Sequence, residues 1–281
     1  MLGVFMFIRG SVKLNGLKTV SGKLRAFVKR NKKNVAAGIM LLLLAGIAYA
    51  APRAVVDVAN NAAASAKELP IYCVDRDDKV VALTFDAAWG NEDTQKILDI
   101  LEKHNVKVTF FATGGWVEAY PDDVKKIIEA GHAFGNHSEN HKFMTRLTDE
   151  QKKQELMEVH DKVKALTGYE MCLFRPPYGD YNDAVVKVAD SLGYYTIQWS
   201  VDSLDWKDYG VDSIVRTVTQ HKSLDSGAII LMHNGAKYTA DALDSIITNL
   251  EEQGYSFVTV AELIHTGKYH MDHTGKQIAD E

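Results

Sequence analysis

From residue 80 onward the chain repeats one pattern. A short apolar run is followed by a longer stretch whose apolar positions recur at helical spacing. Residues 80–85 (VVALTF) read as a strand of apolar and β-branched residues. Residues 93–104 follow, with Ile97, Leu98 and Leu101 on one helical face. The next strand is 106–112, and the next helix is 121–130, opened by Pro121 and closed by Gly131. A strand at 132–137 precedes a helix capped at Thr148. There Gln151 completes a capping box, and Gly168 ends the helix. Strands at 171–174, 194–201, 228–232 and 256–260 alternate with helices at 182–192, 212–221 and 239–253. Residues 267–281 are polar and expected to be loosely held.

Seven strands, each followed by a helix or helical turn, predict a parallel sheet with helices outside. Near-continuous apolar strands suit a sheet covered on both faces. The expected fold is therefore α/β, a distorted, incomplete TIM-like (β/α)7 barrel over residues 70–266. A doubly wound open sheet is the alternative.

The chain ahead of this domain is different in kind. Residues 1–35 hold nine Lys or Arg and no acid. Residues 35–51 are seventeen apolar residues, at the lower limit for a membrane span. A basic flank before an apolar run places the flank in the cytoplasm and the rest outside. Ala48-Tyr49-Ala50 also fits a signal-peptide cleavage site. The expected order is a basic lead (1–34), a signal anchor or signal peptide (35–51), a linker (52–69), the domain, and a polar tail. The protein is then held at the cell membrane with its domain outside, or secreted to the cell wall.

The chain after residue 35 carries 23 basic and 37 acidic residues, which excludes a basic nucleic-acid footprint. Two cysteines, Cys73 and Cys172, leave one disulfide or two free thiols open.

The candidate chemistry lies at one end of the strands. Asp86, His137, Arg175, Asp202 and His233 each stand at or just past a predicted strand's C-terminal end. Barrel enzymes draw catalytic groups from several strands on that face. His137 and His141 are spaced so that both can meet one ion. Asp86 can serve as a base or metal ligand, or simply cap a helix. In Arg175-Pro-Pro-Tyr178 the prolines remove two donors, so the Tyr178 N–H is the next free one, suited to an oxyanion. His233 is either an acid or a core-edge histidine. Together these residues describe hydrolysis at one divalent metal, with Asp86 as base and His233 as acid.

Five ordered motifs carry a family resemblance across about residues 78–265. They are Thr84-Phe85-Asp86-Ala87-Ala88, His137 to His141, Arg175 with Pro177-Tyr178, Asp202 with Asp205-Trp206, and Leu231 with His233. The chain resembles the polysaccharide deacetylases of carbohydrate esterase family four. The resemblance implies Asp86 as base with Arg175 as its ionic partner, and His137 and His141 as metal ligands. It implies Tyr178 as oxyanion donor and His233 as acid, tuned by Asp205. Trp206 and Leu231 would wall the acetate methyl pocket. The family's second motif-one Asp, a metal ligand, is Ala87 here. Asp86, or Asn91, Glu92 or Asp93, would have to substitute.

The expected partner is an N-acetylated polysaccharide of cell-wall or chitin type. The expected cofactor is a divalent ion, zinc ahead of cobalt, nickel or manganese, with no organic cofactor. A catalytically silent wall-binding scaffold is the reading from another class, and an amide or cyclic imide hydrolase is a third.

Overall fold

The domain opens with a two-residue strand, β1 (Cys73–Val74), and then enters the longest strand, β2 (Val80–Ala87). The computed structural model describes residues 29–30 and 67–280, with a compact unit beginning at Lys67. The rest of the basic lead, the apolar run and residues 52–66 of the linker lie outside the described residues. Among the described residues, no helix is long and apolar enough to cross a membrane.

After β2 come α1 (Thr94–Lys103), β3 (Thr109–Ala112), α2 (Gly114–Ala119), α3 (Pro121–Glu129) and β4 (Ala133–Asn136). Then follow α4 (Asp149–Thr167), β5 (Leu173–Phe174), α5 (Asp183–Ser191), β6 (Tyr195–Thr196) and β7 (Val201–Asp202). The series closes with α6 (Val211–Thr219), β8 (Ala228–His233), α7 (Thr239–Glu252), β9 (Ser256–Phe257) and α8 (Val260–Leu263). The capping box at Thr148–Gln151 forms, and Gly168 caps α4 in the left-handed conformation.

The parallel strands run β7-β8-β2-β3-β4-β5-β6. Among the described residues, β6 and β7 are not bonded to each other, so the ring is curled but incomplete. The segment around Ile71 fills that side. Ile71 N donates to Thr196 O at 2.8 Å, and Gln198 N donates to Ile71 O at 2.8 Å. β1 then pairs antiparallel with the start of β8.

Seven parallel strands form the ring, but not the seven expected. The predicted strand 194–201 divides into β6 and β7, because its middle turns to bond the Ile71 segment and β8. The predicted strand 256–260 is only β9, which lies against the first residues of β2, pairing Val80 with Ser256.

Alternation along β2 sorts its side chains onto two faces. Val81, Leu83, Phe85 and Ala87 join the large cluster under the helices, while Val80 and Ala82 join a smaller inner cluster with Phe111, Leu173, Ile197 and Ile229. Continuing that inner set toward the C-terminal end gives Thr84 and Asp86. The interior of the barrel therefore turns from apolar to polar along a single strand.

The expectation of a loosely held tail is corrected. Residues Tyr269–Met271 (β10) and Lys276–Ala279 (β11) form a hairpin, and β11 extends the sheet by pairing parallel with β1. What holds the tail is one buried amide. Gln277 accepts from His265 N at 2.9 Å and donates to His265 O at 2.8 Å, and its own carbonyl accepts from Asp75 N at 2.8 Å. Gln277→Ala leaves the His265 backbone groups unpaired beside a cavity. It should lower the unfolding free energy by about 1–3 kcal/mol, measured by chemical denaturation. An unchanged midpoint would mean that the tail contributes nothing.

Candidate active site

The parallel register of β2 and β8 sets Asp86 directly beside His233. Each is the last inward-facing residue of its strand, so the expected base and acid occupy neighbouring strand ends at one level.

Asp86 is nearly wholly buried, and its Oδ1 accepts from Arg175 Nη1 at 2.7 Å. Arg175 is completely buried. Nη1 also donates to Thr84 Oγ1 at 2.8 Å, Nη2 donates to Gln198 O at 3.2 Å, and the guanidinium lies 4.2 Å from the Phe111 ring centre. Burial pushes the Asp86 carboxyl up, but the charges of Arg175, His137 and His233 and the Arg175 hydrogen bond outweigh it. The group is held below its ordinary value. Asp86 is therefore ionised at neutral pH.

His137 is buried at the end of β4, with Nδ1 2.8 Å from Arg175 O. A carbonyl only accepts, so Nδ1 carries the proton and Nε2 is left as an acceptor. That Nε2 lies 3.2 Å from His141 Nε2 and 3.6 Å from Asp86 Oδ2. Burial is the main cause that pushes His137 down to about 4, and burial also lowers His141. Two neutral imidazoles with converging nitrogens are a metal-ligating arrangement, compatible with an ion at ~2.0–2.1 Å from each. The carbonyl behind His137 is the outer partner that fixes such a ligand.

The loop between the two histidines is tightly held. Ser138 and His141 adopt left-handed φ values of 64° and 52°, costly for residues with side chains. Asn136 Oδ1 accepts from Ser138 N at 2.9 Å, Ser138 Oγ accepts from His141 N at 3.1 Å, and buried Glu155 of α4 accepts from Asn140 N at 2.8 Å.

Among the described residues, no group of three His, Cys, Asp or Glu side chains is arranged as a ready metal cage. Ala87 is wholly buried in the large apolar cluster and offers no donor atom. Each of the loop candidates makes a hydrogen bond within the protein. Asn91 Nδ2 donates to Asp123, Glu92 accepts from Asn91 N, and Asp93 Oδ1 accepts from Gly235 N at 2.9 Å. Asp93 Oδ1 thus braces the turn after His233, while among the described residues its buried Oδ2 has no partner. Asp86 Oδ2 is a carboxylate oxygen beside His137 of that pair.

His233 Nδ1 lies 2.7 Å from Asp205 Oδ1, and His233 N donates to Asp205 Oδ2 at 2.7 Å. Thr239 Oγ1 donates to the same Oδ2 at 2.6 Å. Asp205 is completely buried and orients the ring so that Nε2 is the remaining nitrogen. Burial alone would depress His233, but the hydrogen bond and charge of Asp205 overcome it and raise the imidazole above its ordinary value.

Tyr178 has a left-handed φ of 60°, and among the described residues its N–H meets no acceptor. Its ring is exposed and lies 4.5 Å from that of His141. Leu231 is buried two residues before His233, on the same face of β8, while Trp206 is half exposed beside Asp205. Cys73 and Cys172 are both free, the first partly buried and the second exposed.

The sequence reading missed the bracing residues Gln198, Thr239 and Glu155, which have no motif of their own, and gave Thr84 of the first motif no role. It also missed Trp89, whose ring stacks on His233 (centroids 6.0 Å, planes 18° apart) and meets the edge of His141 at 6.3 Å. A large aromatic in the loop directly after a strand-end Asp was the available signal.

Comparison with known proteins gives consistent matches. The polysaccharide deacetylase family model matches residues 74–197. The peptidoglycan-N-acetylmuramic acid deacetylase PdaA of Bacillus subtilis is 38% identical over 201 residues, covering 69% of this chain and 74% of PdaA. The peptidoglycan-N-acetylglucosamine deacetylase PgdA of Listeria monocytogenes is 38% identical over 205 residues, 72% of this chain but 43% of PgdA. Among solved structures, a CE4 family pseudoenzyme from Bacillus anthracis aligns with a TM-score of 0.67 at 38% identity, covering 74% of this chain and 69% of that one. A mutant of that protein is described as having restored enzymatic activity.

Removing one partner of the Asp86–Arg175 pair strands a buried charge. Arg175→Met should therefore cost about 3–5 kcal/mol of stability. The double variant Asp86→Asn/Arg175→Met should be less destabilised than the two single effects together, measured as a double-mutant cycle by denaturation. Strict additivity would show that the two side chains do not act as a pair.

Proposed function

This chain belongs to the polysaccharide deacetylase family, and from that premise we propose that it removes N-acetyl groups from a cell-wall glycan outside the cytoplasm, releasing acetate. The observation that carries the reading is the pairing of Asp86 with His233 on neighbouring strand ends, each held by its own buried partner, Arg175 or Asp205. A structural pair of polar residues needs neither an ionised buried carboxylate nor an imidazole with one nitrogen tied and the other left to the cleft.

In this reading Asp86 takes the proton of a water attacking the acetamide carbonyl, and Arg175 keeps its charge in place. The Tyr178 N–H donates to the oxygen as negative charge develops there. His233 delivers a proton from Nε2 to the departing amine, while Asp205 stabilises the charged ring. His137 and His141 hold a divalent cation, zinc being suited to their nitrogen donors, with Asp86 as the neighbouring carboxylate. When bound, that cation polarises the carbonyl. Trp206 and Leu231 face the methyl group. The substrate is an N-acetylated polymer, and the apolar run at 35–51 anchors the enzyme at the membrane or directs its secretion.

A second reading, a silent wall-binding scaffold, is favoured by one observation, Ala87 in place of a ligating carboxylate. The complete Asp86–Arg175 and His233–Asp205 pairs oppose it, since a binding surface needs no tuned acid.

The test is acetate release from peptidoglycan and from chitooligosaccharide, before and after chelator treatment and zinc return. Release should vanish with chelator and recover with the ion. Release from neither substrate, with or without the ion, supports the scaffold. His233→Ala should lower kcat by about 10²–10⁴-fold while metal content, read by elemental analysis, stays at the parental level. Equal loss of metal and activity would contradict the role of acid.

The acid must be protonated, so activity falls as pH rises through the His233 pKa. Asp205→Asn removes the largest of the charges that raise that pKa against the opposing effect of burial. The alkaline limb of the kcat profile should move to lower pH. A limb that stays in place would assign it to another group.

A further inference from the structure

Ser138 and His141, the two ends of a four-residue turn, stand in left-handed backbone, and such residues persist only where their surroundings over-determine them. Bonds within the loop, at Asn136 and Ser138, supply part of that constraint. The rest comes from α4 and α2. Glu155 and Lys162 stand two turns apart on α4, so both side chains lie on one face of the helix. Buried Glu155 accepts from Asn140 N at 2.8 Å, from Asn140 Nδ2 at 3.0 Å and from Lys142 Nζ at 2.7 Å, and its main-chain carbonyl accepts from Glu139 N at 2.9 Å. Lys162 Nζ pairs with Glu139 Oε1 and donates to Glu118 of α2 at 3.1 Å. From α2, Gly114 N donates to Ser138 O at 3.1 Å and Gly115 N to Glu139 O at 3.3 Å.

Glu139 is the costly member of this set. Its carboxylate is largely buried, and among the described residues its Oε2 has no partner. It packs so closely on Gly114 that a side chain there would meet Oε2 at 1.7 Å. A carboxylate in such a place is tolerated only when a cation is paired with it. Lys162 is that cation. The seat of Glu139, and with it the middle of the histidine loop, therefore depends on a side chain from α4 that touches neither imidazole.

We propose that Lys162, with Glu155 as a second anchor, is a positioning residue that clamps the His137–His141 loop to α4, so that the two imidazoles converge before any ion is bound. The inference rests on the reading of His137 and His141 as metal ligands. The clamp itself rests on the contacts above. Ligands already in place need no ordering when the ion arrives, which leaves more of the interaction energy as affinity. Removing the partners that stand behind metal ligands typically weakens binding by about 10–100-fold. Lys162 acts through Glu139, one step further out, so the lower end of that range applies. The sign of the effect separates position from charge. Without Lys162 the Glu139 carboxylate is no longer neutralised, and by charge alone a divalent cation nearby should bind more tightly. By loss of position it should bind more weakly.

The experiment compares the full chain with its variants Lys162→Met, Glu155→Gln and Lys162→Arg. Competition with a chromophoric chelator gives the zinc Kd, and hydrogen exchange of the metal-free proteins reads the amides of residues 138–142 independently of zinc. Lys162→Met and Glu155→Gln should each raise the zinc Kd by about tenfold. Both should speed exchange at Asn140 and His141 while the rest of the domain keeps its parental protection. Lys162→Arg should recover most of both properties. If the stranded Glu139 charge keeps Lys162→Met from folding, Glu139→Gln/Lys162→Met removes the charge together with the anchor and should show the same weakened zinc. Parental Kd and exchange in both variants would overturn the proposal, as would tighter zinc in Lys162→Met. Faster exchange throughout the domain would overturn it too, because that is a general loss of stability. If the parent binds no zinc but the variants free the loop amides, the clamp stands and the metal reading falls. If neither zinc binding nor freed amides appear, the clamp fails as well.

Discussion

The site depends on one buried ion pair. Arg175 has no exposure, and a guanidinium in that position must satisfy its charge and its donors inside the barrel. It does so by reaching across the ring. Its side chain binds Thr84 and Asp86 of β2 and the carbonyl of Gln198 beyond β6, and it lies over Phe111 of β3. Its own backbone N donates to Asn136 O at 2.9 Å, and its carbonyl fixes the tautomer of His137. One residue therefore sets the ionisation of the base, the orientation of a metal-ligating histidine, and the spacing of several strands. Among the described residues, its Nε has no protein partner.

The surrounding loops store the strain that this arrangement needs. Among the described residues, six other than glycine have positive φ: Asn105, Ser138, His141, Tyr178, Leu204 and Asp208. Five of them, all but Asn105, lie on loops around the site, where strained backbone is characteristic of pre-organised groups. Gly235 makes the same point by absence. A side chain there would meet Trp89 O at 2.5 Å, so the turn after His233 and the loop carrying Trp89 can lie together only with glycine between them. Asp93 then closes the same turn through Gly235 N.

Much of this was legible in the sequence. The apolar runs located β2, β3, β4 and β8, and the cap signals located α4 and its ends, because those elements are set by local burial and local hydrogen bonds. The strand-end positions of Asp86, His137, Arg175 and His233 followed from the same runs. What escaped had non-local causes. The break between β6 and β7 arises because the Ile71 segment competes for backbone groups after Thr196. The C-terminal hairpin is held by Gln277 against His265 and Asp75, pairings with no local pattern. Thr84 and Glu155 are bracing residues only once the chain has folded around them. Asp93 was a candidate ligand by position, and the fold gives one of its oxygens, Oδ1, to the turn after His233.

The central claim is that Asp86 acts chemically and is not merely a structural partner of Arg175. The direct measurement is the appearance of free amines on purified peptidoglycan, matched to acetate released, with parent chain and with Asp86→Asn, both first checked for folding and metal content. The expected result is equal amounts of amine and acetate from the parent, and a fall of orders of magnitude for the folded variant assayed at saturating metal. Amine release undiminished in Asp86→Asn, or none from the metal-loaded parent, would contradict it.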